Sequence, residues 1–163
     1  MKNAQWIAGS NQRKFCPVFR KDIRLQGKVK SAKLTATAIG SYRFYIDGKE
    51  VSDGVFAPGW TNYYHFVQEQ VYDVTSMLKG KSAKLAMLAG DGWACAEQLG
   101  WKENTHAYFQ QPAVYAKLEL SYEDGTSETI GTNESWEVWT SRILYSSLYY
   151  GETQDARVRS KYV

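Results

Sequence analysis

Strict alternation of apolar and polar side chains, interrupted at short intervals by Gly, Asp and Asn turns, is the feature that leaves this chain the fewest possible folds. A period of two places successive side chains on opposite faces of an extended strand, so each such run buries one face and wets the other. In KLTATAIGSYRFYIDGKEV, Leu34, Ala36 and Ala38 alternate with Lys33, Thr35 and Thr37. After Gly40, Tyr42, Phe44 and Ile46 alternate with Arg43 and Tyr45, so two consecutive strands are expected. Asp47-Gly48 then supplies the positive φ angles of a two-residue type I′ turn, from which Val51 should return antiparallel.

A second hairpin is written in VYAKLELSYEDGTSETI, where Val114, Ala116, Leu118, Leu120 and Tyr122 share a face, Asp124-Gly125 turns the chain and a partner strand begins near Thr126. Residues 66–74 form a further alternating segment, and KLAMLAG is the nearly continuous apolar run of a strand in a sandwich core. Between them, Thr75 is expected to cap one short helical turn through Met77 and Leu78, ended by Gly80. No long amphipathic helix is written anywhere. Short strands without intervening helices predict an all-β, antiparallel β-sandwich or jelly roll with at most short helical turns, and exclude a parallel α/β sheet. At 163 residues, the whole of 1–163 suits a single sandwich module.

Composition narrows the partners. Charged residues make up 23% and the formal net charge is only +3, with Lys and Arg densest over 21–33, where they alternate with Ile23, Leu25, Val29 and Ala32. That is the wetted face of strands, whereas a nucleic-acid surface concentrates its cations on one side, so no nucleic acid is expected. No apolar run approaches the ~20 residues that span a bilayer, and no membrane partner is expected. The opening MKNAQWIAGS lacks the apolar core of a secretory signal, which leaves the compartment undetermined. Cys16 and Cys95 are isolated, without the paired spacing of a zinc site, and read as two buried thiols rather than one bridge. His65 and His106 lie too far apart in sequence, without nearby Cys or Asp partners, to suggest zinc or a catalytic triad.

Three stretches are irregular, 52–64, 91–111 and 145–157, and each is rich in aromatic, Gly and carboxylate residues. If the sandwich gathers them at one end, function should sit there. Read in order, FRKDIRL, AIGSYRFYIDGKEV, FAPGWTNYYHF, VYDVTSML, LAGDGW, LELSYEDGTSETI, ESWEV and YYGETQDAR resemble the N-terminal domain of bacterial α-L-rhamnosidases over nearly the whole chain. The resemblance implies a jelly roll of the galactose-binding kind upstream of an (α/α)-barrel that carries the acid and base for cleaving terminal L-rhamnose. The Asp-rich catalytic motif of that barrel has no counterpart here, so the chain is expected to be non-catalytic, with the barrel of the same parent chain as a partner. Asn62 and Tyr64 stand where relatives often have Asp and a charged residue, and Gln154 where they usually have Tyr. These departures bear on ligand contacts and leave the fold alone.

The resemblance implies an L-rhamnose-containing glycan as ligand, and the irregular stretches hold parts suited to one. A sugar site combines an aromatic face for the ring's C–H surface with a few oriented polar groups. Trp60, Tyr63, Trp93 and Trp101 fall in these stretches beside Asn62, Asp91 and Glu97, and Glu152 and Asp155 complete the set of candidate sugar contacts. Each has a structural alternative. Burying a Trp is worth upward of about 2 kcal/mol, so Trp60 and Trp93 also suit plugs for the end of the sandwich, and Asp91, preceding Gly92, suits closing a turn. Trp101, between Gly100 and Lys102, reads as the exposed platform. Glycosidases pair carboxylates about 5 Å or about 6.5–9.5 Å apart. Glu152 and Asp155, three apart in an extended segment, face opposite ways and read instead as anchors of the last strand or contacts to the next domain. No cofactor is required. Some rhamnose-binding relatives use calcium, which takes six to eight oxygen ligands. Asn62, Asp91, Glu97, Glu152 and Asp155 are its candidates, without the compact spacing of a dedicated calcium loop.

Overall fold

The computed structural model describes residues 4–9, 15–96 and 108–158. Along them run β1 (Ile7–Ala8), β2 (Pro17–Arg24), β3 (Val29–Ile39), β4 (Ser41–Ile46), β5 (Lys49–Glu50), β6 (Gln70–Asp73), β7 (Ser82–Gly90), β8 (Ala113–Tyr122), β9 (Ser127–Gly131), β10 (Glu137–Thr140), β11 (Ile143–Ser147) and β12 (Gly151–Gln154). One sheet has the order β1-β8-β3-β6, with β9 also on β8, and the other β10-β2-β7-β4-β5, while β11 and β12 form a separate hairpin. Every pairing is antiparallel. The expected all-β sandwich is what the chain forms. Helix among the described residues is confined to a 3₁₀ turn (Thr75–Met77) and the four-residue α1 (Gly92–Cys95).

The core lies between the two sheets. Leu34, Ala36 and Ala38 of β3 and Val114 to Tyr122 of β8, at alternate positions, face Phe19, Phe44, Ile46, Leu85 and Met87 from the opposing sheet. Alanines on one strand leave room for the larger side chains across the layer, which keeps the interior filled, and each fully buried Leu, Ile, Phe or Met is worth about 1.5–3 kcal/mol. Both hairpin turns form where expected. Asp47 and Gly48 have φ of 49° and 75°, and Gly125 has φ of 89°. Asp47 Oδ1 also accepts the backbone N–H of Lys84 at 2.8 Å, which tethers the first turn to β7.

Three expectations need correction. Thr35 and Thr37 are buried although they lie on the outward face of β3, and for Thr37 the segment before β6 comes close enough that its Oγ1 donates to the Gln68 carbonyl at 2.6 Å. Residues 66–74 pair only over Gln70–Asp73, and this edge strand leaves Val71 exposed while Phe66 stays outside it. Thr75 does not cap the helical turn by its side chain. Its N–H and hydroxyl donate to Asp73 Oδ1 at 2.9 and 2.6 Å, and its hydroxyl accepts the Ala32 N–H at 2.9 Å, which ties the turn to β3. Cys16 and Cys95 are both buried and form no disulfide, as expected.

Between β3 and β4 the chain passes from one sheet to the other through a single residue. β3 ends at Ile39 in the first sheet and β4 starts at Ser41 in the second, with Gly40 between them at φ 113°. A Cβ on Gly40 would lie 2.3 Å from the Gly90 carbonyl oxygen, and one on Gly92, at φ 50°, would lie 2.6 Å from both Gly40 C and Ser41 N. Gly40→Ala and Gly92→Ala should therefore each lower unfolding free energy by at least about 2 kcal/mol in urea denaturation, since backbone cannot yield to the added methyl. Gly125→Ala, with positive φ but nothing within 4 Å, is the control and should lose only about 1–2 kcal/mol.

Candidate functional site

The three irregular stretches meet through their aromatic rings. Trp60 stacks on Trp93 with centroids 5.5 Å apart and planes 17° apart, and Tyr149 meets Trp93 edge-on at 6.4 Å. Trp60 comes from the stretch after β5, Trp93 from α1, and Tyr149 from the turn between β11 and β12. Trp93 is aimed by the glycine crossing: Gly92 at positive φ lies against the Gly40–Ser41 backbone and opens the helical turn, which the Asp91 carbonyl closes by accepting the Cys95 N–H at 3.0 Å. Trp60 is 57% exposed and presents an open aromatic face, whereas Trp93 beneath it is partly buried and packs against the cluster of Tyr63, Ala94 and Cys95.

The loop that carries Trp60 is stiffened from within. Asn62 Oδ1 accepts the Tyr64 N–H at 3.2 Å, and the Asn62 carbonyl accepts those of His65 and Phe66 at 2.9 and 3.2 Å. Thr61 Oγ1 donates to the Phe66 carbonyl at 2.7 Å. Tyr63 is only 5% exposed, donates its hydroxyl to the Gly59 carbonyl at 2.7 Å and meets Tyr108 edge-on at 5.1 Å. It supports the loop from below. Burial, with the Cys95 and Tyr108 groups beside it, pushes its hydroxyl up to about 12.

The remaining candidates separate. Asp91 is buried at the entry to α1. Glu152, on β12, lines a cleft of about 240 Å³ together with Ser41, Arg43, Ser146 and Phe56, and its Oε1 accepts from Gln154 Nε2. Asp155 lies beyond β12 and accepts the Arg157 N–H, Nε and Nη2 at 3.0, 2.9 and 2.8 Å. The Arg157 guanidinium and backbone N–H hold its carboxyl at about 2. Glu152 and Asp155 thus have different partners. Trp101, Glu97 and His106 lie outside the described residues. Among the described residues, no three His, Cys, Asp or Glu side chains gather as a metal cluster.

Sequence reasoning missed Tyr149, Phe56 and the serines of the cleft. Tyr149 offered a hint as part of the Tyr149-Tyr150 pair before Gly151, whereas Ser41 and Ser146 carry no local signal. The fold also exposes a second apolar surface. A groove of about 540 Å³ is lined by Trp6, Ile39, Tyr64, Phe66, Phe109 and Ala113, and four of its rings are exposed.

Comparison with known proteins follows the same lines. The sequence model of the family described as Alpha-L-rhamnosidase N-terminal domain matches residues 27–162. An α-L-rhamnosidase of Streptomyces avermitilis is 42% identical over 130 residues, which is 80% of this chain and 12% of the relative. A crystal structure of a Streptomyces avermitilis α-L-rhamnosidase complexed with L-rhamnose superposes with TM-score 0.82 at 38% identity, covering 88% of this chain and 14% of that one. The native α-L-rhamnosidase of Aspergillus terreus gives TM-score 0.90 at 29% identity, covering 98% and 19%. The chain spans 12% to 15% of the length of the curated relatives it matches.

The raised Tyr63 hydroxyl has a stability consequence. The unfolded chain releases that proton near pH 10 and the folded chain near 12, so the folded state binds more protons across this window and stability must fall as pH rises through it. Tyr63→Phe should flatten the fall between pH 10 and 12 in urea denaturation, relative to the parent chain.

Proposed function

This chain belongs to the α-L-rhamnosidase N-terminal domain family, and from that premise we propose that it serves a larger α-L-rhamnosidase as a non-catalytic module binding rhamnose-type sugar. The carrying observation is the Trp60–Trp93 stack edged by Tyr149, held open by three loops at one end of the sandwich. A large apolar ring left 57% exposed forgoes much of its burial energy, and an aromatic face beside polar groups is the economy by which sugar rings are held. Asn62 and Asp91 come from the same stretches as Trp60 and Trp93, Glu152 stands on β12 just after the turn of Tyr149, and Trp101 follows from the stretch that carries Trp93. Tyr63 acts beneath the site, and Asp155 fixes the chain leaving it. The Streptomyces avermitilis relative was crystallised with L-rhamnose, which favours that sugar as the first to test.

A non-catalytic role accords with the carboxylates. Asp155 is engaged by Arg157 while Glu152 opens on the cleft, so this pair offers no acid and base set across a common bond. The catalytic partner on this reading is the (α/α)-barrel of the same parent chain. A second reading, a structural subdomain that binds no sugar, draws on the groove of Trp6, Tyr64, Phe66 and Phe109, which has the apolar character of a surface that packs against a neighbouring domain. The two readings use different surfaces.

Titration of the chain with L-rhamnose, followed by NMR with and without calcium, separates them. Binding with a dissociation constant near 1 mM, about −4 kcal/mol, is expected. Trp60→Ala and Trp93→Ala should each weaken it at least tenfold, and an aryl rhamnoside should not be turned over. No shift at tens of millimolar sugar in either condition would leave only the structural role.

A further inference from the structure

Phe56 stands in a conformation that the fold has no evident use for. Its φ is +60°, in the left-handed region where a bulky side chain is an outlier costing about 1–2 kcal/mol, yet the ring is 60% exposed and contributes little to the core. The backbone is held there by two hydrogen bonds, from the Gly59 N–H to the Phe56 carbonyl at 2.9 Å and from the Tyr42 N–H to the Ala57 carbonyl at 3.0 Å. A glycine at 56 would meet the same backbone demand without strain. What the phenyl ring does supply is an apolar wall for the 240 Å³ cleft, which Glu152, the hydroxyl-bearing Ser41 and Ser146, and Arg43, paired to Glu50 at 3.1 Å, also line. Strain kept at an exposed ring beside such a cleft is the pattern of a ligand clamp.

The cleft's chemistry selects its ligand. Serine hydroxyls both donate and accept, Glu152 only accepts and Arg43 only donates, so the set suits a neutral polyhydroxylated ring better than an anion or a cation. The cleft falls below the roughly 300–1,000 Å³ of drug-sized sites, which limits it to one small ring. It is also built on the three segments that carry the aromatic face. Phe56 and Trp60, Gly90 and Trp93, and Ser146 and Tyr149 each pair a cleft residue with an aromatic residue three or four positions on. Such spacings span at most ~10–14 Å even when fully extended.

We propose that the cleft walled by Phe56 is a second sugar subsite, contiguous with the Trp60–Trp93 face, so that the module recognises two linked rings and not a terminal monosaccharide alone. The proposal rests on the sugar-binding reading above and extends it. One ring lies on the indoles, and the next enters the cleft with an apolar face on Phe56 and hydroxyls toward Glu152, Ser41 and Ser146.

Calorimetric titration of the chain with L-rhamnose and with an L-rhamnose-terminated disaccharide tests this. The disaccharide should bind about tenfold tighter than the monosaccharide. Phe56→Gly, which suits the positive φ and so should melt no lower than the parent, should erase that advantage while leaving rhamnose affinity unchanged, and Ser146→Ala should reduce the advantage in the same direction. Trp60→Ala should weaken both sugars. Equal affinity for the two sugars, or a Phe56→Gly variant that weakens both alike or neither, overturns the second subsite while the sugar-binding reading survives. No binding of either sugar overturns both.

Discussion

Gly40 is the residue on which the two layers depend. A chain that leaves one sheet and enters the other with a single intervening residue must turn sharply, and the positive φ there is open to glycine without strain. Because the turn has no slack, it couples two registers: Ile39 stays opposite Ala113 in the first sheet while Ser41 stays opposite Gly90 in the second. A slip of one residue in either strand would turn Leu34 or Phe44 out of the core. The same corner also positions the candidate site. Gly92 packs its backbone on Gly40 and Ser41, so Trp93 is placed relative to both sheets by main-chain contact, which is stiffer than any side-chain support.

How much of this could be read from the residues depends on how local each cause is. The turns at Asp47-Gly48 and Asp124-Gly125 were legible because their φ requirement lies within two residues. The inward faces of β3, β4 and β8 were legible because burial follows a fixed period. Gly40 could be read as a break between strands but not as a change of sheet, which depends on contact with Gly90 across the fold. Thr37 misled for a similar reason, since its hydroxyl partner approaches from residue 68, some thirty positions away. In the candidate site, Trp60 and Trp93 stood out as aromatics in irregular stretches, but nothing near them revealed that they stack. Phe56 was illegible, because its strained backbone is imposed partly by Tyr42 from another strand. Arg157, two residues after Asp155, was within reach of sequence reasoning and shows why that carboxylate was a poor candidate for a ligand.

Polar groups inside the sandwich follow the rule that burial demands partners. The Tyr42 hydroxyl lies 3.1 Å from the Ala36 carbonyl, 2.9 Å from Gln70 Oε1 and 3.1 Å from the Tyr72 hydroxyl, and burial pushes its titration well above the usual tyrosine range. This small network joins β4 to β3 and to the edge strand β6 across the layer, supplementing the apolar contacts where β6 has few of its own. Gln70 Nε2 in turn donates to the Pro58 carbonyl at 3.0 Å, so the core network also anchors the loop between Phe56 and Trp60. The stiffness of the candidate site therefore derives from the interior.

That stiffness bears on how a weak sugar site can be useful. Loop ordering is a large part of what binding normally costs, and here the segment 59–66 is already fixed by its own hydrogen bonds, so little further order is required when a ring settles on Trp60. A single ring on an open indole face still gains only a few kcal/mol, which leaves millimolar affinity. On the proposed reading the module acts within one chain with a catalytic domain, and tethering converts weak contacts into a raised local concentration, at the millimolar scale for short linkers. An affinity near 1 mM then suffices to hold substrate close, yet releases it on each turnover. Rigidity without tightness is what such a role requires, and the glycine corner, the core hydroxyl network and the self-bonded loop together provide the rigidity.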